Sequence, residues 1–128
     1  MENKRAVIEV KHLSKSFGKN PVLKDIDFSV YEKDVTCIIG SSGSGKSTLL
    51  RCINMLETPS GGEILFNGKS ITDSDMNIPL YRAKVGMVFQ NFNLFANMTA
   101  LKNCMIGPQK IKGQVKETAR QKALYFLE

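Results

Sequence analysis

The stretch that most constrains this chain is residues 40–47, GSSGSGKS. Eight residues made of three glycines, four serines and one lysine have too little apolar surface to lie inside a core element, so they form a turn. Before the turn stands VTCII (residues 35–39), the short apolar run of a strand covered on both faces. From Ser47 onward, Leu49, Leu50, Ile53 and Leu56 fall at helical spacing, with Pro59-Ser60-Gly61-Gly62 closing the helix. The segment therefore predicts strand, glycine-rich turn and helix, and it fits G-x-x-x-x-G-K-[ST] without a mismatch. Average residue usage produces that match by chance about once in two hundred chains of this size. Together with its flanks, this sets aside a flexible Gly/Ser linker.

Each residue type in the turn has a physical use. Gly40, Gly43 and Gly45 are expected to adopt positive φ and to let the backbone approach a ligand with no Cβ in the way. Successive N–H groups from Ser42, Gly43, Ser44, Gly45, Lys46 and Ser47 then form a concave nest at a helix N-terminus, where unpaired donors and the helix dipole favour anionic oxygen. Lys46 extends an ammonium toward β- and γ-phosphates. The Ser47 hydroxyl is a hard ligand suited to Mg²⁺, and Thr48 lies near enough for an α-phosphate.

Composition sets the frame. With 128 residues, 42% of them apolar and 23% charged, the chain is one globular domain or a piece of one. No apolar run approaches the roughly 20 residues that a membrane helix needs. The opening MENKRAVIEVKH lacks the apolar region of a signal peptide, so a soluble, cytosolic chain is expected. A net charge of +6 permits nucleic acid, acidic lipid or nucleotide phosphate as partner and does not choose among them. Cys37, Cys52 and Cys104 are odd in number, far apart and never in C-x-x-C, so reduced core thiols are expected rather than a disulfide frame or a zinc site.

Elsewhere the pattern predicts strands at residues 6–10 and 22–31, with the turn-rich SKSFGKNP (14–21) between them and a turn at Lys33-Asp34. A short strand at 63–66 leads into the turn Asn67-Gly68. Residues 70–79 are polar and irregular, and 85–89 (VGMVF) reads as a second buried strand ending at Gln90. Residues 91–99 form a loop with the apolar Phe92, Leu94 and Phe95, which suit a core or a partner groove equally. Residues 101–106 are helical up to Gly107-Pro108. Residues 115–127 form an amphipathic helix with Val115, Ala119, Ala123, Phe126 and Leu127 on one stripe. That stripe has no later element to cover it, which leads to the expectation of a truncated domain. Strands interleaved with helices give an α/β layer architecture.

Nucleotide hydrolysis also requires an acidic residue at the end of a later strand. EILF runs into Asn67 and GMVF into Gln90, so these residues are expected to bind a nucleotide without splitting it. Met76, Met87, Met98 and Met105 have no ligand spacing and are read as filling gaps or surface. The basic Lys110, Lys112, Lys116, Arg120 and Lys122 are read as a solvated face, and His12 as a solvated residue at a strand end.

Four segments carry a resemblance to the ATP-binding cassette (ABC) ATPases, and within them to the ATP-binding subunits of polar amino-acid importers: LSKSFGKNPVLKDIDFSV, IIGSSGSGKSTLLRCINMLETPSGGEI, VGMVFQNFNLFANMTALKNC, and the run from Asn103 through Pro108 to Lys112. The resemblance implies a P-loop NTPase core of ABC type with an N-terminal antiparallel β subdomain, ending before its helical subdomain is complete. It divides the chain into an antiparallel β segment with the A-loop (1–34), the P-loop strand and helix (35–58), a β segment with the Q-loop (59–99) and the start of the helical subdomain (100–128).

By the same resemblance, Phe17 is the aromatic that stacks on adenine, Val22 flanks the ring, and Gln90 is the Q-loop glutamine that reaches Mg²⁺ and the γ-phosphate. Residues 91–95 would lie near the groove for the permease's coupling helix. Lys46 and Gln90 would be the catalytic residues present. The cofactors implied are ATP and Mg²⁺. The partners implied are membrane permease subunits and a second copy of the full-length subunit, at the cytoplasmic face of the membrane, with no nucleic acid. Asp34 stands where the family usually has Gly, Ser41 where Pro is frequent, and Ala96-Asn97 also departs. The family's signature motif, Walker B acid with its glutamate, D-loop and switch histidine are absent from these 128 residues. A non-transport ABC ATPase acting on nucleic acid is the alternative; a P-loop kinase or GTPase would require an acceptor lid or N-K-x-D, and neither is present.

Overall fold

Residues 6–31 form one long hairpin in the computed structural model, which describes residues 3–128. Strand β1 (Ala6–Phe17) turns through Gly18-Lys19 into β2 (Asn20–Tyr31), and Gly18 at φ 60° supplies the positive φ that a two-residue turn demands. The turn expected over residues 14–21 is thus only two residues long. Ser14 to Phe17 are strand because they pair on both sides: Lys15 with Leu23 and Ser16 with Pro21 on one, Ser14 with Gly61 on the other. Cross-strand pairing outweighs their turn-like composition.

The hairpin carries a double bulge at its middle. Ile8, Val10 and Leu13 are all buried, although strict alternation would send Leu13 to the opposite face from Val10. The register shifts between Val10 and Leu13, and the extra residue restores Leu13 to the core. His12 on β1 and Asp25 on β2 absorb the shift, each at φ 49°. The His12 N–H donates to Asp27 Oδ1 at 3.0 Å, and its ring Nδ1 lies 2.7 Å from Asp25 Oδ1. His12 is therefore solvated as expected, but it sits inside a twelve-residue strand rather than at a strand end.

On the other edge of β1 lies β3 (Gly61–Phe66), with Val10 opposite Ile64. Gly62, at φ 82°, passes so close to the bulge that a Cβ there would collide with the His12 carbonyl. Asn67 (φ 50°) and Gly68 (φ 82°) turn β3 into the short β4 (Lys69–Ser70), the pair of positive φ values that a type I′ turn needs. The sheet is antiparallel throughout, in the order β2-β1-β3-β4. Its apolar residues Ile8, Val10, Leu13, Leu23 and Ile64, with Ile71 and with Leu49 and Cys52 from helix α1 (Lys46–Ile53), are the buried apolar residues of this unit. Leu50 and Leu56 are exposed, because the helix stops at Ile53 and buries one narrow face.

Two expected strands are absent. Residues 35–39 and 85–89 run without ladder bonds, and Val35 is 92% and Val88 99% exposed. An apolar run of this kind becomes a strand only when neighbours pair along both edges and layers cover both faces. Among the described residues no strand pairs with either run.

The chain divides into two compact units, up to Ile78 and from Pro79. Helix α2 (Ile78–Lys84), all but its first residue in the second unit, begins inside the stretch expected to be irregular, with Pro79 in its first turn, where a missing N–H costs nothing. Its Tyr81 is buried, and burial pushes the phenol up to about 12. Helix α3 (Ala100–Lys110) is capped by Thr99, whose Oγ1 accepts from the Lys102 N–H at 3.2 Å. It runs past Gly107-Pro108, the expected stop, and closes with Ile111 N–H donating to Gly107 O at 2.8 Å. Pro108 removes one intrahelical donor, yet the turn after it is still closed by the Ile111 bond.

Helix α4 (Lys116–Leu127) packs Ala119 and Ala123 against Met105, with Leu101 beside them. Val115, Phe126 and Leu127, expected on that stripe, are exposed. Phe92, Leu94 and Phe95 are exposed too, so the core reading for them is set aside. The basic side chains from Lys110 to Lys122 are solvated as expected. All three thiols are free, but only Cys52 is buried, where desolvation raises its pKa; Cys37 and Cys104 are exposed.

Candidate nucleotide-binding site

The turn after residues 35–39 is curled, not extended. Gly43 (φ 78°) and Gly45 (φ 98°) take the left-handed conformation expected of them. Gly40 does not; its constraint is space, since a Cβ there would sit 2.6 Å from Ser44 Oγ and 3.3 Å from Ser44 Cβ. The Ser44 N–H donates to Ser41 O at 3.2 Å and closes the curl. Gly45 is the N-cap of α1, which starts at Lys46 and makes its first internal bond from Leu49 N–H to Gly45 O at 2.9 Å.

Nothing at this helix start competes with an anion. The cap has no side-chain hydrogen bond and the first turn holds no acidic residue. The N–H groups of Lys46, Ser47 and Thr48 precede the first intrahelical donor, the Leu49 N–H, so they remain available as donors. The Lys46 ammonium folds over the turn and donates to Gly40 O and Ser41 O, both at 2.6 Å, and to Ser44 Oγ at 3.2 Å. A flexible lysine tethered to carbonyls can exchange them for phosphate oxygens without backbone movement.

The hollow so formed is about 290 Å³ and is lined by Val22, Ser42, Gly43, Gly45, Lys46, Ser47 and Thr48. Six of the seven phosphate-binding candidates read from the sequence and the flanking Val22 therefore meet in one place, with Ser44 held beside them by Lys46. Strand β2 supplies the wall: a Cβ on Gly45 would lie 3.0 Å from Leu23 Cδ2 and 3.1 Å from Val22 Cγ1. Close approach of the turn to the hairpin is thus a second reason for glycine at position 45. Ser47 lines the hollow, and its hydroxyl is a hard oxygen of the kind that would hold a magnesium ion.

Phe17 stands at the end of β1, 45% exposed, outside the lining of the hollow. Its ring lies beneath the Lys15 ammonium, 4.9 Å from nitrogen to centroid. Sequence reasoning misses Lys15; the available signal is its position two residues from Phe17 on one strand, which puts both on the same face. Gln90 belongs to the second unit and is exposed. A larger cavity of about 460 Å³ in that unit, lined by Pro79, Arg82, Ala83, Gly107, Pro108, Ile111 and Lys112, is mostly apolar and has no glycine-rich turn to meet a phosphate.

A glycine-rich curl at a helix start, set against an antiparallel sheet, is the arrangement of ATP-binding cassettes, and the comparison with known proteins agrees. Residues 23–127 match the ABC transporter family, so the chain belongs to it. It is 48% identical over 117 residues to the arginine transport ATP-binding protein ArtM of Bacillus subtilis, a match that covers 91% of this chain and 49% of that protein. It is 47% identical over 121 residues to the glutamine transport ATP-binding protein GlnQ of Escherichia coli, covering 94% and 50%. Among solved structures, the dimeric ABC transporter cassette MJ0796 superposes with a TM-score of 0.80 at 32% identity, covering 92% of this chain and 54% of that one. MJ0796 has also been solved as a post-hydrolysis dimer bound to ADP and Pi, with a TM-score of 0.77. The chain spans about half the length of the curated relatives it matches. Among the described residues, no helix is long and apolar enough to cross a membrane.

Proposed function

We propose that this chain supplies the P-loop side of the ATP site in the ATP-binding subunit of a polar amino-acid importer. The observation that carries the reading is the hollow at the start of α1, which Ser42, Gly43, Gly45, Lys46, Ser47 and Thr48 line together with Val22. Lys46 engages the β- and γ-phosphates, Ser47 holds Mg²⁺, Thr48 meets the α-phosphate and Phe17 stacks on adenine. Gln90 is the metal-reaching, permease-sensing glutamine, and the exposed Phe92, Leu94 and Phe95 suit the groove for a permease helix. Magnesium, when bound, neutralises charge on the phosphate oxygens.

The relatives support the importer reading over action on nucleic acid, since ArtM and GlnQ are each named for amino-acid transport. A pair of subunits enclosing ATP and docking on permease subunits at the cytoplasmic membrane face is the working assembly we infer; the dimeric cassette structures support it. Among the described residues, neither strand after Lys46 runs into an acidic residue, β3 leading into Asn67 and β4 into Ile71; on this reading the chain binds ATP and does not hydrolyse it alone. The test is uptake of labelled arginine, glutamine and histidine by cells with and without Lys46→Ala in the chromosomal gene. Loss of one of these uptakes is expected. Unchanged uptake of all three contradicts the transport assignment.

A further inference from the structure

Lys15, away from the phosphate hollow, is held on three sides. Its side chain is only 13% exposed, its ammonium donates to Thr58 O at 2.8 Å and lies 3.4 Å from Glu57 Oε2, and the Phe17 ring is beneath it at 4.9 Å. Solvent-facing lysines make no such set of contacts, because an ammonium loses hydration and rotamer freedom to do so. The segment that receives it is itself fixed. Glu57 N–H donates to Arg51 O at 3.2 Å, tying it to the last turn of α1. Ser60 N–H donates to Ser14 O at 2.9 Å, and Ser60 Oγ accepts from Ser16 N–H at 3.0 Å, stitching the same segment along β1. A continuous set of bonds therefore runs from the helix that begins at the phosphate hollow to one face of Phe17.

We propose that Lys15 is the positioning residue of the adenine platform: it backs the Phe17 ring, fixes its orientation relative to α1, and leaves the uncovered surface of the ring for a purine. This rests on the reading of Phe17 as the adenine contact. A cation held over one face draws ring electron density toward itself and strengthens stacking of a π-system on the other. A ring clamped before the ligand arrives also loses less entropy on binding.

The experiment compares Mg-ATP with magnesium tripolyphosphate, which presents phosphates and no base, on the 128-residue chain and its variants. Lys15→Met keeps the stem and removes the charge; it is expected to weaken Mg-ATP about five- to tenfold and to leave tripolyphosphate unchanged. Phe17→Ala is expected to lose ATP preference likewise. If Phe17→Ala binds ATP as well as the parent, the adenine reading fails and Lys15 has no platform to position. If Phe17→Ala loses the preference and Lys15→Met does not, the reading stands and the role of Lys15 is overturned. Equal loss of both ligands in a folded Lys15→Met also overturns it, since that is a structural effect alone. A wild-type measurement guards against a variant that does not fold: the Lys15 Cε protons are expected upfield from the ring current of Phe17, and ordinary shifts contradict the clamp.

Discussion

The Lys46 ammonium stands 2.6 Å from the Gly40 carbonyl oxygen, bridging six residues and closing the turn over its own helix start. A Cβ on Gly40 would meet Ser44 Oγ at 2.6 Å and Ser44 Cβ at 3.3 Å, so Ser44, which Lys46 also engages, would have to shift. Gly40→Ala is therefore expected to displace Ser44 and the lysine together. Mg-ATP affinity should fall by about tenfold, or about 1.4 kcal/mol, read by calorimetry with the thermal transition as a check on folding. An unchanged affinity would show that the curl has room to spare.

Gly62 tests the double bulge. Its φ of 82° and its approach to the His12 carbonyl leave no place for a Cβ, so Gly62→Ala is expected to cost about 1–3 kcal/mol in urea unfolding. Gly86→Ala is the control: a Cβ there meets nothing within 4 Å, and its midpoint should stay close to the parent's.

His12 gives a pH signature to the same bulge. The hydrogen bond to Asp25, then the charges of Asp27 and Asp25, hold the imidazolium above its ordinary 6.5. A folded-state value raised above the unfolded one stabilises the fold fully below about pH 6.5 and loses that contribution as pH rises through the folded value. Proton NMR titration should find His12 above 6.5 in the parent and lower in Asp25→Asn. A value at or below 6.5 in the parent contradicts the geometry.

Asn103 holds the loop before α3 with one side chain. Its Oδ1 accepts from Phe95 N–H at 2.8 Å, and its Nδ2 donates to Phe95 O at 3.2 Å, Met98 O at 3.3 Å and Thr99 O at 3.0 Å. Asn103→Leu is expected to release the Phe95 amide to exchange at least tenfold faster, an opening eased by about 1–3 kcal/mol, with ATP binding unaffected. Unchanged exchange at Phe95 would mean that the loop is held by other contacts.

Local chemistry is the legible part of this molecule. The Asn67-Gly68 turn, the Gly43 and Gly45 conformations, the start of α1 and the convergence of Ser42, Gly43 and Gly45 with Lys46, Ser47 and Thr48 are all readable, because each depends on neighbours in sequence. The length of β1 is not: Ser14, Lys15 and Ser16 look like a turn until Gly61, Leu23 and Pro21 are placed opposite them. Residues 35–39 and 85–89 mislead for the complementary reason. Their composition suits strands sandwiched within a sheet, and composition carries no information on whether partners are at hand. Lys15 behind Phe17 is hidden because its other contacts, Glu57 and Thr58, lie more than forty residues away.

Calorimetric titration of Mg-ATP into the 128-residue chain and into Lys46→Ala bears most directly on the site. The parent should take up one equivalent, and the variant should bind at least tenfold more weakly, since it loses the one side-chain cation that lines the hollow among the described residues. Equal affinity in the two proteins, or no binding by a folded parent, would contradict a triphosphate held by the turn after Ile39.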